Sequence, residues 1–315
     1  MPNFDGGHYF LTTLIPVRTD LVADPRSTAM IISHVHALRQ VLIALPTALQ
    51  TPATERIGQN SPFARNRATH FARFTVMDDV AFNGRGQRDP IKVALAGPEP
   101  HTRDTVDRLP FPYLMFVADF DAADGSPEAL ATWLRDIWAV MAPELRDILS
   151  HCQGDATDAD SFVSLITRCQ VETTMPFNDY WPGAPPLSPL PLKQVLAPAG
   201  VAALVFVVGL IGMMLAHHHG WRLLMLLGLA GIVVGLWYAY REVMTKGALP
   251  FPPAPGADLP GVLKALYLQQ RFTSFAIDTQ GKDDAALHAA FGDFLRDHKP
   301  EDTAAPTQPP GVVRA

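Results

Sequence analysis

Two stretches of this chain carry no charge. Val195 to Ala216 reads VLAPAGVAALVFVVGLIGMMLA, and Leu223 to Tyr240 reads LLMLLGLAGIVVGLWYAY. A helix rises about 1.5 Å per residue, so runs of this length approach or span the ~30 Å hydrocarbon core of a bilayer. Together they predict a transmembrane helical hairpin with the lipid bilayer as its partner. Trp221 at one end and Trp237, Tyr238 and Tyr240 at the other stand where amphipathic rings favour the headgroup layer.

The segment between the runs, LAHHHGWR from Leu215 to Arg222, poses a choice between a metal site and a wet turn. Irregular lipid-exposed backbone is not tolerated in hydrocarbon, so His217, His218, His219 and Gly220 belong in or beyond the interface as the hairpin tip. Adjacent residues of a tight turn point in different directions and no Cys, Asp or Glu stands nearby, so a hydrated turn is expected and no metal is assigned. Lys193 ahead of the hairpin, with Arg241 and Lys246 behind it, outweighs Arg222 at the tip. The positive-inside bias then turns both ends to the cytoplasm, which predicts a two-pass protein of an inner or plasma membrane.

At 315 residues the chain has room for one soluble domain of ordinary size beside the hairpin. A formal charge of −6 without a long basic run argues against nucleic acid as the main partner. Cys152 and Cys169 suit free thiols in a reducing compartment better than a disulfide framework, with a single bridge as the alternative. The apolar run YFLTTLIPV follows Asp5 and His8 rather than a basic region and breaks at Pro16, so it does not read as a secretory signal. The first domain is therefore expected in the cytosol.

Along that domain, HYFLTTLIPV (8–17) has the content of a strand. Ser27 is placed to cap a helix in which Met30, Ile31, Val35, Leu38, Leu42 and Leu45 recur at helical spacing up to Pro46. THFARFTVMDDVAF (69–82) and YLMFVADFDA (113–122) read as the second and third strands. Ser126 and Pro127 open a long helix carrying Leu130, Trp133, Leu134, Ile137, Trp138 and Met141, with a kink near Pro143 and a continuation to Cys152. ADSFVSLITRC should add a shorter helix and QVETTMPFND (170–179) a fourth strand. The order is β-α-β-β-α-(α)-β, which predicts an α+β, ferredoxin-like antiparallel sheet with helices on one face.

This organisation gives a cytosolic domain over 1–180, a Pro-rich linker over 181–194 and the hairpin over 195–241. A second Pro-rich linker occupies 242–260, and a strand-helix segment over 261–298, from RFTSFAID and DDAALHAAFGDFLRDH, docks on the first domain. Residues 299–315 have the composition of a disordered tail.

Alternation along the second strand puts Phe71, Arg73, Thr75 and Met77 on one face and His70, Ala72, Phe74 and Val76 on the other, the latter under the helices. Arg73 then points to the uncovered face, where Tyr113, Asp119, Glu172 or Thr174 can join it. A guanidinium among aromatic and carboxylate side chains can hold an anionic headgroup or a haem propionate; alternatively, an Arg73 ion pair stabilises a dimer interface. His70 is a candidate haem ligand or general base, against a plain hydrogen-bonded edge histidine. Asp119 and Asp121 in ADFDAADG, and the Asp78-Asp79 pair, offer carboxylates to a divalent ion or caps to turns. His151 and Cys152 with Cys169 lack metal-ligand spacing. His34 and His36 read as surface or interface residues.

The element order, with THFARF, YLMFVADFDA and the long tryptophan-bearing helix, resembles the dimeric α/β-barrel superfamily over roughly residues 8–180. That superfamily includes dye-decolorising peroxidases, chlorite dismutases and small monooxygenases, which use the uncovered sheet face as a pocket. The resemblance implies a homo-oligomer and makes haem a possible cofactor, although the Gly-x-x-Asp-Gly motif of the peroxidases is missing. Two functions follow as expectations. In one, a membrane-anchored domain binds, and oxidatively modifies, an amphipathic or lipid-like small molecule on its open sheet face, through Phe71, Arg73, Tyr113, Asp119 and Glu172, with His70 and Arg73 as the catalytic pair. In the other, a non-catalytic adaptor uses that face for dimerisation or partner docking.

Overall fold

A computed structural model of the chain describes residues 3–24, 26–46, 60–78, 109–154, 156–173, 181, 183–187, 189–216 and 218–311. The chain forms two compact units, one of residues 2–176 with 256–315 and the other of 177–255. The first is a mixed helix-and-sheet unit, and the second holds the two apolar helices.

In the first unit β1 (Phe4–Asp5) and β2 (His8–Pro16) form a hairpin through Gly6 and Gly7, which both take positive φ. β3 (Leu21–Asp24) and β4 (Ser27–Ser33) form a separate antiparallel ribbon leading into α1 (His34–Ala44). A short 3-10 turn over Pro62–Arg65 precedes β5 (Thr69–Met77), and β6 (Tyr113–Asp121), α2 (Pro127–Leu149), α3 (Ala159–Cys169) and β7 (Gln170–Val171) follow. The main sheet is antiparallel in the order β1-β2-β6-β5, and β7 pairs with Thr12 and Thr13 of β2.

Burial alternates along β2 and β6. Tyr9, Leu11 and Ile15 of β2 and Leu114, Phe116, Ala118 and Phe120 of β6 are buried. They form one core with Trp133, Leu134, Ile137 and Met141 of α2 and Phe162, Leu165 and Ile166 of α3. The Phe120 ring stacks on Trp133 with centroids 4.0 Å apart and planes 3° from parallel. Ser126 caps α2 by accepting the Ala129 N–H, and Met141 leaves helical geometry just before Pro143, where the kink was expected.

The first helix differs from expectation. Residues 27–33 are strand, and α1 begins at His34, capped by Ser33, whose hydroxyl accepts the His36 N–H. Ser27 does not open the helix but pairs with Asp24, and Ile31, Ile32 and Ser33 pair with Ala23, Val22 and Leu21, a strand that the β-branched and apolar run TAMII favours. Of the expected fourth strand, β7 covers two residues, and 174–179 lie outside the described residues.

The C-terminal segment is also corrected. The stretch expected as a strand, RFTSFAID, is the last part of α6 (Leu259–Asp278), and α7 (Asp284–His298) packs beside it. Phe272 and Phe275 sit three apart, a spacing that a helix brings to one side, and both meet Phe294 of α7. Residues 299–311, expected as a disordered tail, take defined positions: Lys264 Nζ donates to the carbonyls of His298 and Pro306.

In the second unit α4 (Leu192–Ala216) and α5 (His219–Gly247) are long and apolar enough to cross a membrane. They run antiparallel. Gly209 approaches Met225, Gly228 approaches Phe206, and Gly235 approaches Ala199, so that a Cβ on Gly235 would lie 2.7 Å from the Ala199 nitrogen. Small residues of this kind let two apolar helices come into close contact. His218 caps α5 through Nδ1, which accepts the Gly220 N–H at 3.1 Å, as a turn histidine would.

Candidate functional site

The sheet has one face on the core and one turned away from α2 and α3. Phe10, Thr12 and Leu14 of β2, Phe71, Arg73 and Thr75 of β5, and Met115, Val117 and Asp119 of β6 occupy the second face, each half-buried or exposed. Phe71 lies opposite Asp119 and Arg73 opposite Val117. The Arg73 guanidinium stands 5.8 Å from the centroid of the Phe71 ring, a cation over an aromatic face. At the β7 edge a groove of about 520 Å³ runs between Leu14, Pro16, Arg168, Cys169 and Val171.

At one end of this face the polar residues gather. His8 and Asp121 are direct neighbours across the β2–β6 ladder. His70 joins them through a bulge. The register shifts between Thr69, opposite Phe120 on the core side, and Phe71, opposite Asp119 on the open side. Thr69 stays inside because its hydroxyl accepts the Trp133 indole N–H and donates to Asn66. His70 is the extra residue, and such a bulge re-aims a side chain. Its Nε2 donates to Asp121 Oδ1 at 2.7 Å, while His8 Nδ1 lies 3.8 Å from that oxygen and 3.6 Å from Asp119 Oδ1. The other Asp121 oxygen, Oδ2, accepts the Leu259 N–H at the start of α6, at 2.9 Å.

The sheet thus brings His70, Phe71, Arg73 and Asp119 into one part of the face. Tyr113 lies at the far end of β6, about 27 Å along the strand from Asp121. Glu172 follows β7 on the opposite edge from β5, so it is separated from Arg73 by two strands, about 14 Å. Neither joins the other four within one chain. His70 sits with the open-face residues rather than under the helices, because the bulge breaks the alternation. His8, absent from the expected site, stands at its centre and is buried. Haem would need an imidazole facing the open sheet beside Arg73. Among the described residues, the two imidazoles at this end of the face do not stand clear for haem: His70 Nε2 is held by Asp121 and His8 is buried beside it.

A second pair lies elsewhere. His34, at the start of α1, is buried rather than on the surface, and its Nδ1 meets His151 Nδ1 at 2.9 Å. His34 Nε2 lies 3.5 Å from Asp20. Burial, with the neighbouring His34, holds His151 below the ordinary imidazole range. Burial likewise pushes the Cys152 thiol up to about 12, and both cysteines are free.

Compared with known proteins, the chain matches no family model, no curated protein and no solved structure.

Proposed function

We propose that this is a two-pass membrane protein whose α+β unit, on the cytoplasmic side, binds an amphipathic anionic small molecule from the bilayer on its open sheet face. The observation that carries this is the cation on an aromatic wall, Arg73 over the exposed Phe71, within a face of Phe10, Leu14, Met115 and Val117, in a chain with two bilayer-length helices. Apolar walls take the hydrocarbon part of such a ligand and a guanidinium takes its anionic end. The strand order β7-β2-β6-β5 supports a ferredoxin-like fold, because it is the fourth-first-third-second arrangement of the split βαβ motif. The group that would act on a bound molecule is the His70–Asp121 pair, an imidazole hydrogen-bonded to a carboxylate.

The rival reading is an adaptor that dimerises or docks a partner through the same face, and it is favoured by Phe71, a large apolar side chain left 49% exposed. One experiment separates the two. The detergent-purified chain is extracted with organic solvent and the extract analysed by mass spectrometry, for wild type and Arg73→Ala. A bound amphiphile that disappears in Arg73→Ala at unchanged melting temperature supports the ligand site. An empty wild-type protein that elutes as a dimer, and as a monomer after Phe71→Asp, replaces it with the adaptor.

A further inference from the structure

We propose that His8, His70 and Asp121 bind one divalent transition-metal ion, with Asp119 at the margin of the site. Three residues far apart in sequence, one each from β2, β5 and β6, place a ligating atom within 4.8 Å of the other two. An ion held by nitrogen and oxygen at about 2.0–2.2 Å keeps neighbouring donors about 3.4 Å apart in tetrahedral geometry, so the cluster must adjust by on the order of 1 Å.

The simpler alternative is a lone histidine–aspartate hydrogen bond, and the surroundings exceed what that requires. His70 Nε2 lies 2.7 Å from Asp121 Oδ1, and His8 Nδ1 lies 3.8 Å from that oxygen and 3.6 Å from Asp119 Oδ1, so two imidazoles share one pair of carboxylates. Their rings meet edge to face, with centroids 4.8 Å apart at 72°, so the two imidazoles stand side by side at the carboxylate. The second oxygen of Asp121 is held by the Leu259 N–H, the kind of outer hydrogen bond that orients a ligating carboxylate. Asp119, 3.6 Å from His8, adds a second carboxylate to offset the charge of a divalent ion. The His8 side chain is 10% exposed, and those of His70 and Asp121 are 16% and 22% exposed, so the donors are shielded but reachable.

Two imidazoles and a carboxylate without a thiolate suit zinc, iron(II), nickel or copper rather than calcium or magnesium. Three protein ligands leave positions open to water, to Asp119 or to a molecule on the sheet face. The ion would replace the His70–Asp121 hydrogen bond, so it competes with an acid–base role for that pair, while binding at Arg73 and Phe71 does not depend on it.

The test uses the full chain in detergent, stripped with EDTA and titrated with cobalt(II), whose visible absorption reports its coordination; zinc is then added as competitor. Wild type is expected to take up one cobalt per chain and release it to zinc. His8→Gln, His70→Gln and Asp121→Asn should each weaken cobalt binding at least tenfold, while replacing His217, His218 and His219 by serine leaves it unchanged. If Asp121→Asn lowers the melting temperature through its lost contact with Leu259, the two histidine variants decide. No stoichiometric uptake by folded wild type overturns the site. So does uptake that survives His70→Gln and is lost with the tip histidines.

Discussion

Cys152, just beyond the end of α2, pairs with Val17 and has its side chain fully buried, and its thiol, pushed up to about 12 by desolvation, stays protonated at neutral pH. Only the thiolate is an effective nucleophile. Iodoacetamide at about pH 8, near the ordinary thiol range, should therefore modify the half-buried Cys169 well before Cys152. Peptide mapping after short exposure checks this, and equal labelling would mean that the end of α2 opens readily. Phe120 is a second residue with a sharp expectation. It is fully buried and stacked on Trp133, so Phe120→Ala should cost about 3–5 kcal/mol, read as a lower denaturant midpoint. The burial of both Phe120 and Trp133 is legible in the sequence, since alternation in YLMFVADFD and helical spacing around Trp133 assign each to the core. His8 is not legible in that way. It enters the cluster through its register with Asp121, which residues 8–17 and 113–122 do not specify when read separately. The turn of His70 to the open face likewise depends on Thr69 being held inside by Trp133, a contact between segments 64 residues apart.

Between elements, the His34–His151 contact ties the start of α1 to the end of α2. Because burial lowers the His151 pKa on folding, the unfolded chain binds more protons in the acidic window. The stabilisation is then present above the ordinary imidazole value and is lost as pH falls below it. The melting temperature should drop between about pH 7.5 and pH 5, and drop less in His151→Asn, since His is the side chain that titrates there. An identical drop in both would remove the pair from the account. Arg18, Asp20 and Asp147 also face this pair and remain in the variant, so the difference isolates His151. In the apolar unit, a side chain on Gly228 has no room against the Phe206 backbone. Gly228→Leu should separate the helices at a cost of about 1–3 kcal/mol, seen as a lower thermal midpoint in detergent. A midpoint equal to wild type would show that α4 and α5 do not rely on that approach. Element boundaries were the least legible level. TAMII satisfies helical spacing as well as strand pairing, and β3 decides between them. RFTSFAID alternates weakly, yet it continues the helical repeat that begins at Leu259, and its phenylalanines find partners on α7.

For the molecule as a whole, the proposed two-pass topology makes a direct claim about sidedness. In a Cys169→Ser background, a cysteine placed at His218 should react with an impermeant thiol reagent on intact cells, and one at Gly247 should not. Equal reaction at the two positions would rule the topology out. The bond from the Leu259 N–H to Asp121 has a consequence of another kind. His8, His70 and Asp121 leave the ribosome before the two apolar helices, and Leu259 leaves after them. Domains begin to fold as they emerge, so the sheet and its three side chains can assemble on the nascent chain. The contact that fixes the carboxylate must wait until the helices have been synthesised. Biogenesis therefore sets an order, in which the final adjustment of the cluster follows synthesis of the two apolar helices, and a chain arrested between the two would carry the three side chains without the last hydrogen bond.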